Sequence, residues 1–204
     1  MSKWIFLALL PSFLLFSLSH AQGGAKSSGN VKLIADFNAP APNNVGGNFG
    51  AFTPSESEQV YICRESLDDA IKHGDAGSSM RLDYNVSKGG SYNGFWLKLG
   101  PADTGNNLDA SGYKKLTFWI KGDEKSGIPN KFKLELKGDL GPSAKRFVGD
   151  ITDKWKKVEV PLEEFAAQKL DLSKLNEIVF VFEQKIAAPA TTGAIYLDDI
   201  ALEK

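Results

Sequence analysis

The sequence predicts an all-β protein, a two-sheet antiparallel β-sandwich. Three observations carry that expectation. From Val31 onward, short apolar or alternating runs recur between Gly, Pro, Asn and Asp residues, which is the rhythm of strands joined by turns. Two of the runs alternate with a period of two. In Lys131–Lys137, Phe132, Leu134 and Leu136 oppose Lys131, Lys133, Glu135 and Lys137; in Lys115–Gly122, Leu116, Phe118 and Ile120 oppose Thr117, Trp119 and Lys121. No segment of this part sustains the spacing of an amphipathic helix.

Element by element, the chain opens with Lys3, an apolar stretch from Trp4 to Phe16 and the small-residue pattern Ser19-His20-Ala21. That is the layout of a secretory signal peptide over residues 1–21, and the stretch is shorter than the roughly 18 residues a membrane-spanning helix needs. Export to the periplasm or the extracellular space is the expectation, with no membrane association after cleavage. Residues 22–30 are small and polar and read as a flexible leader. Residues 31–204 then form one domain, since this length suffices for one sandwich and not two. Strands are expected near Val31–Phe37, Gln59–Cys63, Ser79–Val86, Gly94–Leu99, Lys115–Gly122, Lys131–Lys137, Lys145–Ile151, Lys156–Pro161, Glu177–Gln184 and Ala194–Leu202, with short helical turns at Ser66–His73 and Ser173–Glu177.

Composition narrows function. Of 204 residues, 24 are Lys or Arg and 25 Asp or Glu, a net charge of −1, which excludes a polybasic nucleic-acid binder. The single cysteine, Cys63, excludes an intrachain disulfide framework and a multi-cysteine zinc site. His73 is the one histidine beyond the leader and reads as a solvated loop residue, so a nucleophile lacks an evident base. Adjacent carboxylates such as Asp198-Asp199 point to opposite faces of a strand and do not make a glycosidase pair. No phosphate loop, dinucleotide fingerprint or H-E-x-x-H motif is present. A non-enzymatic binding protein fits this inventory best.

Several segments in order carry a resemblance. They are Ile34-Ala35-Asp36-Phe37-Asn38, Gly77 to Tyr84, Gly90-Ser91-Tyr92-Asn93-Gly94, Tyr113 to Gly122, Trp155 to Leu162, and Ile195-Tyr196-Leu197-Asp198-Asp199-Ile200. Together they resemble the galactose-binding-like jelly rolls of family 11 carbohydrate-binding modules and the related domain of complex I intermediate-associated proteins. The resemblance implies a non-catalytic module that binds a polysaccharide or oligosaccharide, β-glucan-like, in a cleft of the sandwich. It also implies a structural calcium, with Asp36 and Asp198 as carboxylate ligands. Strand parity groups Asp198 with Tyr196, Ile200 and Leu202, and a carboxylate on a core face would need a partner.

For the sugar, Tyr92 matches a stacking tyrosine of the family pattern, while Phe49, Asn176 and Phe182 fall where that pattern places more polar residues. The loop after Phe165 lacks the pattern's Arg and Asp-Tyr. Trp96 and Trp119 are rival stacking platforms, with ligand contact and burial both open for each. Arg81 and Asp83 share a polar strand face usable for hydroxyls. The alternative function is a structural or assembly protein that binds a protein partner through the same sandwich.

Overall fold

The computed structural model describes residues 29–54, 60–139 and 142–204. Its strands are β1 (Val31–Ala35), β2 (Phe49–Phe52), β3 (Cys63–Asp68), β4 (Ser79–Asn85), β5 (Tyr92–Lys98), β6 (Lys115–Gly122), β7 (Lys131–Gly138), β8 (Ala144–Gly149), β9 (Lys156–Pro161), β10 (Leu175–Glu183) and β11 (Thr192–Glu203). Two one-turn helices, α1 (Glu163–Ala166) and α2 (Gln184–Ala187), join them. Among the described residues, no helix is long and apolar enough to cross a membrane. The expected signal peptide, and the leader up to residue 28, lie outside the described residues.

The strands form two antiparallel sheets, as the periodicity predicts. One has the order β3-β4-β11-β6-β9, with β1 also on β11; the other runs β2-β5-β10-β7-β8. β11 is long enough to serve two partners along one edge: Thr192–Leu197 pair with β4, and Ile200–Glu203 pair with β1. From β4 onward the chain changes sheet at nearly every connection, and among the described strands only β3–β4 and β7–β8 are sequential pairs within a sheet. That crossing pattern stitches the two layers together.

The core lies between the layers and is built from alternate residues of each strand. Phe118 of one sheet meets Phe180 of the other edge-on at 5.5 Å, and Phe132 lies 5.7 Å from Phe180. Tyr84 stacks on Phe182 at 4.3 Å, and Leu82, Phe95, Leu116 and Leu134 fill the space between. Cys63 is buried, and that burial pushes its thiol pKa up and leaves it inert.

Four local readings differ from the structure. β2 is absent from the sequence reading. β3 starts at Cys63, where the expected strand Gln59–Cys63 ends (Gln59 itself lies outside the described residues); it is an edge strand whose Arg64, Glu65 and Ser66 are polar and whose lone apolar residue, Leu67, is exposed. The helical turn expected at Ser66–His73 is instead the end of β3 and a turn in which the Asp68 carboxylate accepts the N–H groups of Ala70 and Ile71. At the second expected turn, Asp171 caps a 3-10 turn over Leu172–Lys174, and β10 begins at once.

Candidate carbohydrate-binding face

The five-stranded sheet turns one face to the core and the other outward, and strand parity decides what each presents. In β5, Asn93, Phe95 and Leu97 point inward, so Tyr92, Gly94, Trp96 and Lys98 point out. In β10, Ile178, Phe180 and Phe182 point inward, leaving Glu177, Val179, Val181 and Glu183 on the outer face. β7 contributes Lys133, Glu135 and Lys137 outward in the same way. Register aligns these residues into rows across the strands. Phe52, Gly94, Val181, Lys133 and Phe147 form one row; Gly50, Trp96, Val179, Glu135 and Lys145 form the next. Lys98, Glu177 and Lys137 form a third.

These rows enclose a groove of about 340 Å³ lined by Phe52, Tyr92, Trp96, Lys98, Lys133, Lys137, Glu135, Glu177 and the two valines. Short Val179 and Val181 make its floor, while rings and long side chains stand around them. Two glycines let the rings lie down on the sheet. A Cβ at Gly50 would sit 3.3 Å from the Trp96 indole, and one at Gly94 would sit 2.9 Å from the Phe52 ring and 2.0 Å from the Phe180 carbonyl oxygen. Each aromatic ring therefore covers a glycine on the neighbouring strand. Tyr92, at the end of β5, is about half exposed.

The polar groups are tied together and balance in charge. Glu177 bridges Lys98 at 2.5 Å and Lys137 at 2.8 Å. Lys133 bridges Glu135 at 2.9 Å and Glu183. Three lysines thus face three glutamates. Burial opposes ionisation of Glu177, yet hydrogen bonds from Lys137 and Lys98 outweigh it and hold the carboxyl below its ordinary range. Such a residue has no proton to donate, so the groove holds no general acid at Glu177. What it offers is flat apolar rings beside charged donors and acceptors, the chemistry that suits the C–H faces and hydroxyls of a sugar.

The residues singled out from the sequence divide between three places. Tyr92 and Trp96 lie in the groove. Asn176 stands at its margin, where its side-chain oxygen accepts from Lys98 Nζ at 3.0 Å and its amide donates to the Gly105 carbonyl at 2.7 Å. Phe182 is a correction: it is wholly buried against Tyr84, on the core side of β10. Phe49 is a second, since it packs edge-on to Phe37 at 5.7 Å on the inner side of β2.

Trp119, Arg81 and Asp83 lie on the outer face of the other sheet and share no surface with Tyr92. Trp119 is covered by the His73 ring, stacked at 3.8 Å, and His73 Nδ1 donates to Asp199 at 2.8 Å. His73 is therefore packed, not solvated as its loop suggested. Arg81 makes a two-pronged pair with Asp83, at 2.9 and 2.7 Å, and also bonds Asp123 and the Tyr196 hydroxyl. This is an internally satisfied cluster. Phe52, Lys98, Lys133, Glu135, Lys137 and Glu177 were not singled out. The alternation in Lys131–Lys137 was visible, but only register shows that its polar side adjoins Trp96.

Asp198 also departs from expectation. Asp199 adopts a left-handed φ of 46°, and the β11–β6 register shifts between Asp198 and Ala201. This bulge breaks the parity: Ile200 and Leu202 face the core, whereas Tyr196 and Asp198 lie on the outer side. There the buried Asp198 carboxylate accepts the N–H groups of His73 and Asp199, both at 2.9 Å. Burial, with the Asp199 charge adding to it, pushes its pKa up to about 6 against the pull of those amides. Asp36 accepts from Asn38 N–H at 3.2 Å and Asn44 Nδ2 at 3.1 Å. Each carboxylate keeps lone pairs that a hard cation could use, and the buried Asp198 charge is one that a cation would offset. Among the described residues, no group of three or more His, Cys, Asp or Glu gathers there, so remaining ligands would be backbone or amide oxygens.

Two antiparallel sheets, with rings and polar groups gathered on one outer face, define a β-sandwich of the carbohydrate-binding-module class. The family profile described as Carbohydrate binding domain 30 matches residues 51–204, and the chain belongs to that family. Among solved structures it is similar to a family 11 carbohydrate-binding module from Clostridium thermocellum in complex with a β-1,3-1,4-mixed-linked tetrasaccharide. The identity is 20%, with 85% of this chain and 95% of that one covered and a TM-score of 0.58. A family 30 module of a cellulosomal cellulase from Clostridium thermocellum matches at 15% identity, with 85% and 93% covered and a TM-score of 0.54. An exo-β-agarase matches at 14% identity over 84% of this chain and 25% of the enzyme, with a TM-score of 0.61. At these identities the likeness establishes the fold. No curated protein matches the chain.

Proposed function

We propose that the outer face of the five-stranded sheet binds a neutral polysaccharide of the β-glucan kind, without catalysis, in an exported protein. One observation carries the reading: Phe52, Tyr92 and Trp96 ring a groove whose three lysines are all paired with glutamates, Glu135 and Glu177 in its lining and Glu183 beside it. Rings stack on the sugar faces, and the paired charges supply hydroxyl partners without a net field that would select an acidic chain. The β-glucan choice is supported by the mixed-linked tetrasaccharide held by the similar family 11 module. Non-catalysis is supported by the ionised Glu177 and by family membership. Export is supported by the signal-peptide pattern of residues 1–21.

Affinity electrophoresis in gels containing β-1,3-1,4-glucan tests the reading. The protein is expected to be retarded, and Trp96→Ala and Tyr92→Ala to restore free migration. Retardation that survives both substitutions would remove the groove from the reading. Calcium at Asp36 and Asp198 is a separate proposal, supported by the burial of Asp198. A rise in Tm when calcium is added to chelator-treated protein supports it, and no shift removes it.

A further inference from the structure

The two sides of the sandwich treat their terminal strands differently. On one side the Glu65 carboxylate of β3 accepts the Ala51 N–H of β2 at 2.9 Å, so one terminal strand caps the other. On the other side β8 and β9 end their sheets, and a cleft of about 390 Å³ lies between them. Lys131, Arg146, Phe147, Asp150 and Lys156 are among the residues that line it.

Register shows which backbone groups of β8 turn outward. The Gln168 side chain pairs with Lys145 as a strand would, accepting its N–H and donating to its carbonyl, both at 3.0 Å. Lys145 therefore points its peptide groups away from β7, and with a period of two Phe147 and Gly149 do the same. Gln168 covers only Lys145. The N–H and C=O groups of Phe147 and Gly149 meet no other group among the described residues. They are a short template for one more strand, and the half-exposed Phe147 ring stands beside it.

Charge beside this edge selects what can pair there. The Lys131 stem lies across Gly149, where a Cβ would sit 3.0 Å from its Cγ. Neither the Lys131 nor the Lys145 ammonium has an ion-pair partner among the described residues, and Lys156 reaches only the Asp150 carbonyl, at 3.4 Å. Arg146 pairs with Glu164. Four cations thus stand beside two carboxylates, those of Asp150 and Glu164. A second copy of this edge would bring the cations against their own kind, whereas a strand with Asp or Glu at alternate positions would meet opposite charge.

We propose that the open edge of β8 docks an extended acidic segment of another polypeptide by strand addition. Phe147 and Gly149 supply the backbone hydrogen bonds, and Lys131 and Lys145 supply the charge. No residue of β8 lines the groove, so this surface does not depend on the glycan reading.

The test is a nitrogen–proton NMR titration of the full chain with an acetylated, amidated peptide of about eight alternating glutamates and valines. The Phe147 and Gly149 amides should shift, and their exchange with solvent should slow roughly tenfold or more, because each gains a partner. A peptide N-methylated at alternate residues, or one with lysine for glutamate, should leave them unmoved. Lys131→Glu and Lys145→Glu should each raise Kd roughly 2- to 5-fold, the range for an exposed ion pair. Phe147→Pro deletes an N–H that β7 does not use, so it should stay folded and lose the peptide. If that variant unfolds, the N-methylated peptide draws the same distinction on wild type. Phe147 and Gly149 amides that stay fixed at millimolar peptide overturn the proposal. Equal binding of the N-methylated peptide also overturns it, since charge alone would then be the attraction. A dimer in analytical ultracentrifugation that Phe147→Pro dissolves would give the edge to a second copy and overturn it as well.

Discussion

Phe182 and Trp96 lie on the two opposite faces of the same sheet, and truncating each should damage a different property. Phe182 is wholly buried, stacked on Tyr84 at 4.3 Å and 6.2 Å from Phe132. Phe182→Ala removes a ring from between the two sheets and leaves a cavity that the flanking strands cannot close. The expected cost is about 3–5 kcal/mol, the range for buried Phe→Ala. For a domain of this size, each kcal/mol lowers Tm by about 2–4 °C, so the drop should be roughly 6–20 °C. Trp96 is half-buried on the outer face, its indole lying over Gly50. Trp96→Ala uncovers Val179 but leaves the core intact, so its Tm shift should be far smaller.

Binding should show the reverse order. Trp96→Ala loses a stacking platform, and Kd for a β-1,3-1,4-glucan oligosaccharide should rise at least 2- to 12-fold, about 0.5–1.5 kcal/mol. Phe182→Ala, measured well below its own Tm, should bind within about threefold of wild type, since Phe182 lies on the core side of the sheet and does not line the groove. Differential scanning calorimetry and isothermal titration on the same preparations give both quantities. A Phe182→Ala variant of normal Tm that has lost binding would refute the assignment of faces. So would a Trp96→Ala variant that binds normally and unfolds early.

Other substitutions probe the groove's construction. Glu177→Gln strands Lys98 and Lys137 without their shared acid; thermal unfolding at pH 7 should show a loss of about 1–3 kcal/mol, the scale for a charged hydrogen bond in a partly buried site. The Glu177 carboxyl is held below its ordinary value of 4.5, so its contribution is present above that pH and lost as pH falls through the lowered value. Tm measured from pH 7 down to pH 3 should therefore fall less steeply in Glu177→Gln than in wild type. Gly94→Ala drives a methyl to 2.0 Å from the Phe180 carbonyl and should unpair β5 from β10, lowering Tm sharply. Gly50→Ala meets only the indole edge at 3.3 Å; it should keep Tm within a few degrees while tilting Trp96 and weakening glucan binding.

The sequence made the layers legible where one face of a strand is apolar and the other polar. β7 is the clearest case, because Phe132, Leu134 and Leu136 alternate with charged residues and need no tertiary knowledge to orient. β10 was harder: Ile178 to Phe182 is apolar throughout, since Val179 and Val181 are buried beneath the groove's own side chains. A continuous apolar run does not announce which side is core, so nothing in it opposed the place that the family resemblance gave Phe182 as a ligand contact. β2 escaped notice because it is four residues long, with Phe49 turned inward and Phe52 outward. Asp198 was misplaced because a left-handed Asp199 shifts parity, and nothing in Asp198-Asp199 signals a bulge. The groove depends on register between strands far apart in the chain, which sets Glu177 beside Lys98 and Lys137 and Phe52 beside Gly94. Tyr92 and Trp96 could be proposed singly from the sequence, but their shared surface could not.

The tryptophans offer built-in reporters of which face the ligand touches. Trp96 lies in the groove, while Trp119 and Trp155 flank His73 on the opposite sheet. The most direct measurement is the indole N–H region of the nitrogen–proton NMR spectrum, with assignments from single Trp→Phe variants, as β-1,3-1,4-glucan tetrasaccharide is added. The Trp96 resonance should shift in proportion to occupancy while those of Trp119 and Trp155 stay fixed. Movement of Trp119 or Trp155 with Trp96 still would place the ligand on the other sheet and contradict the groove assignment.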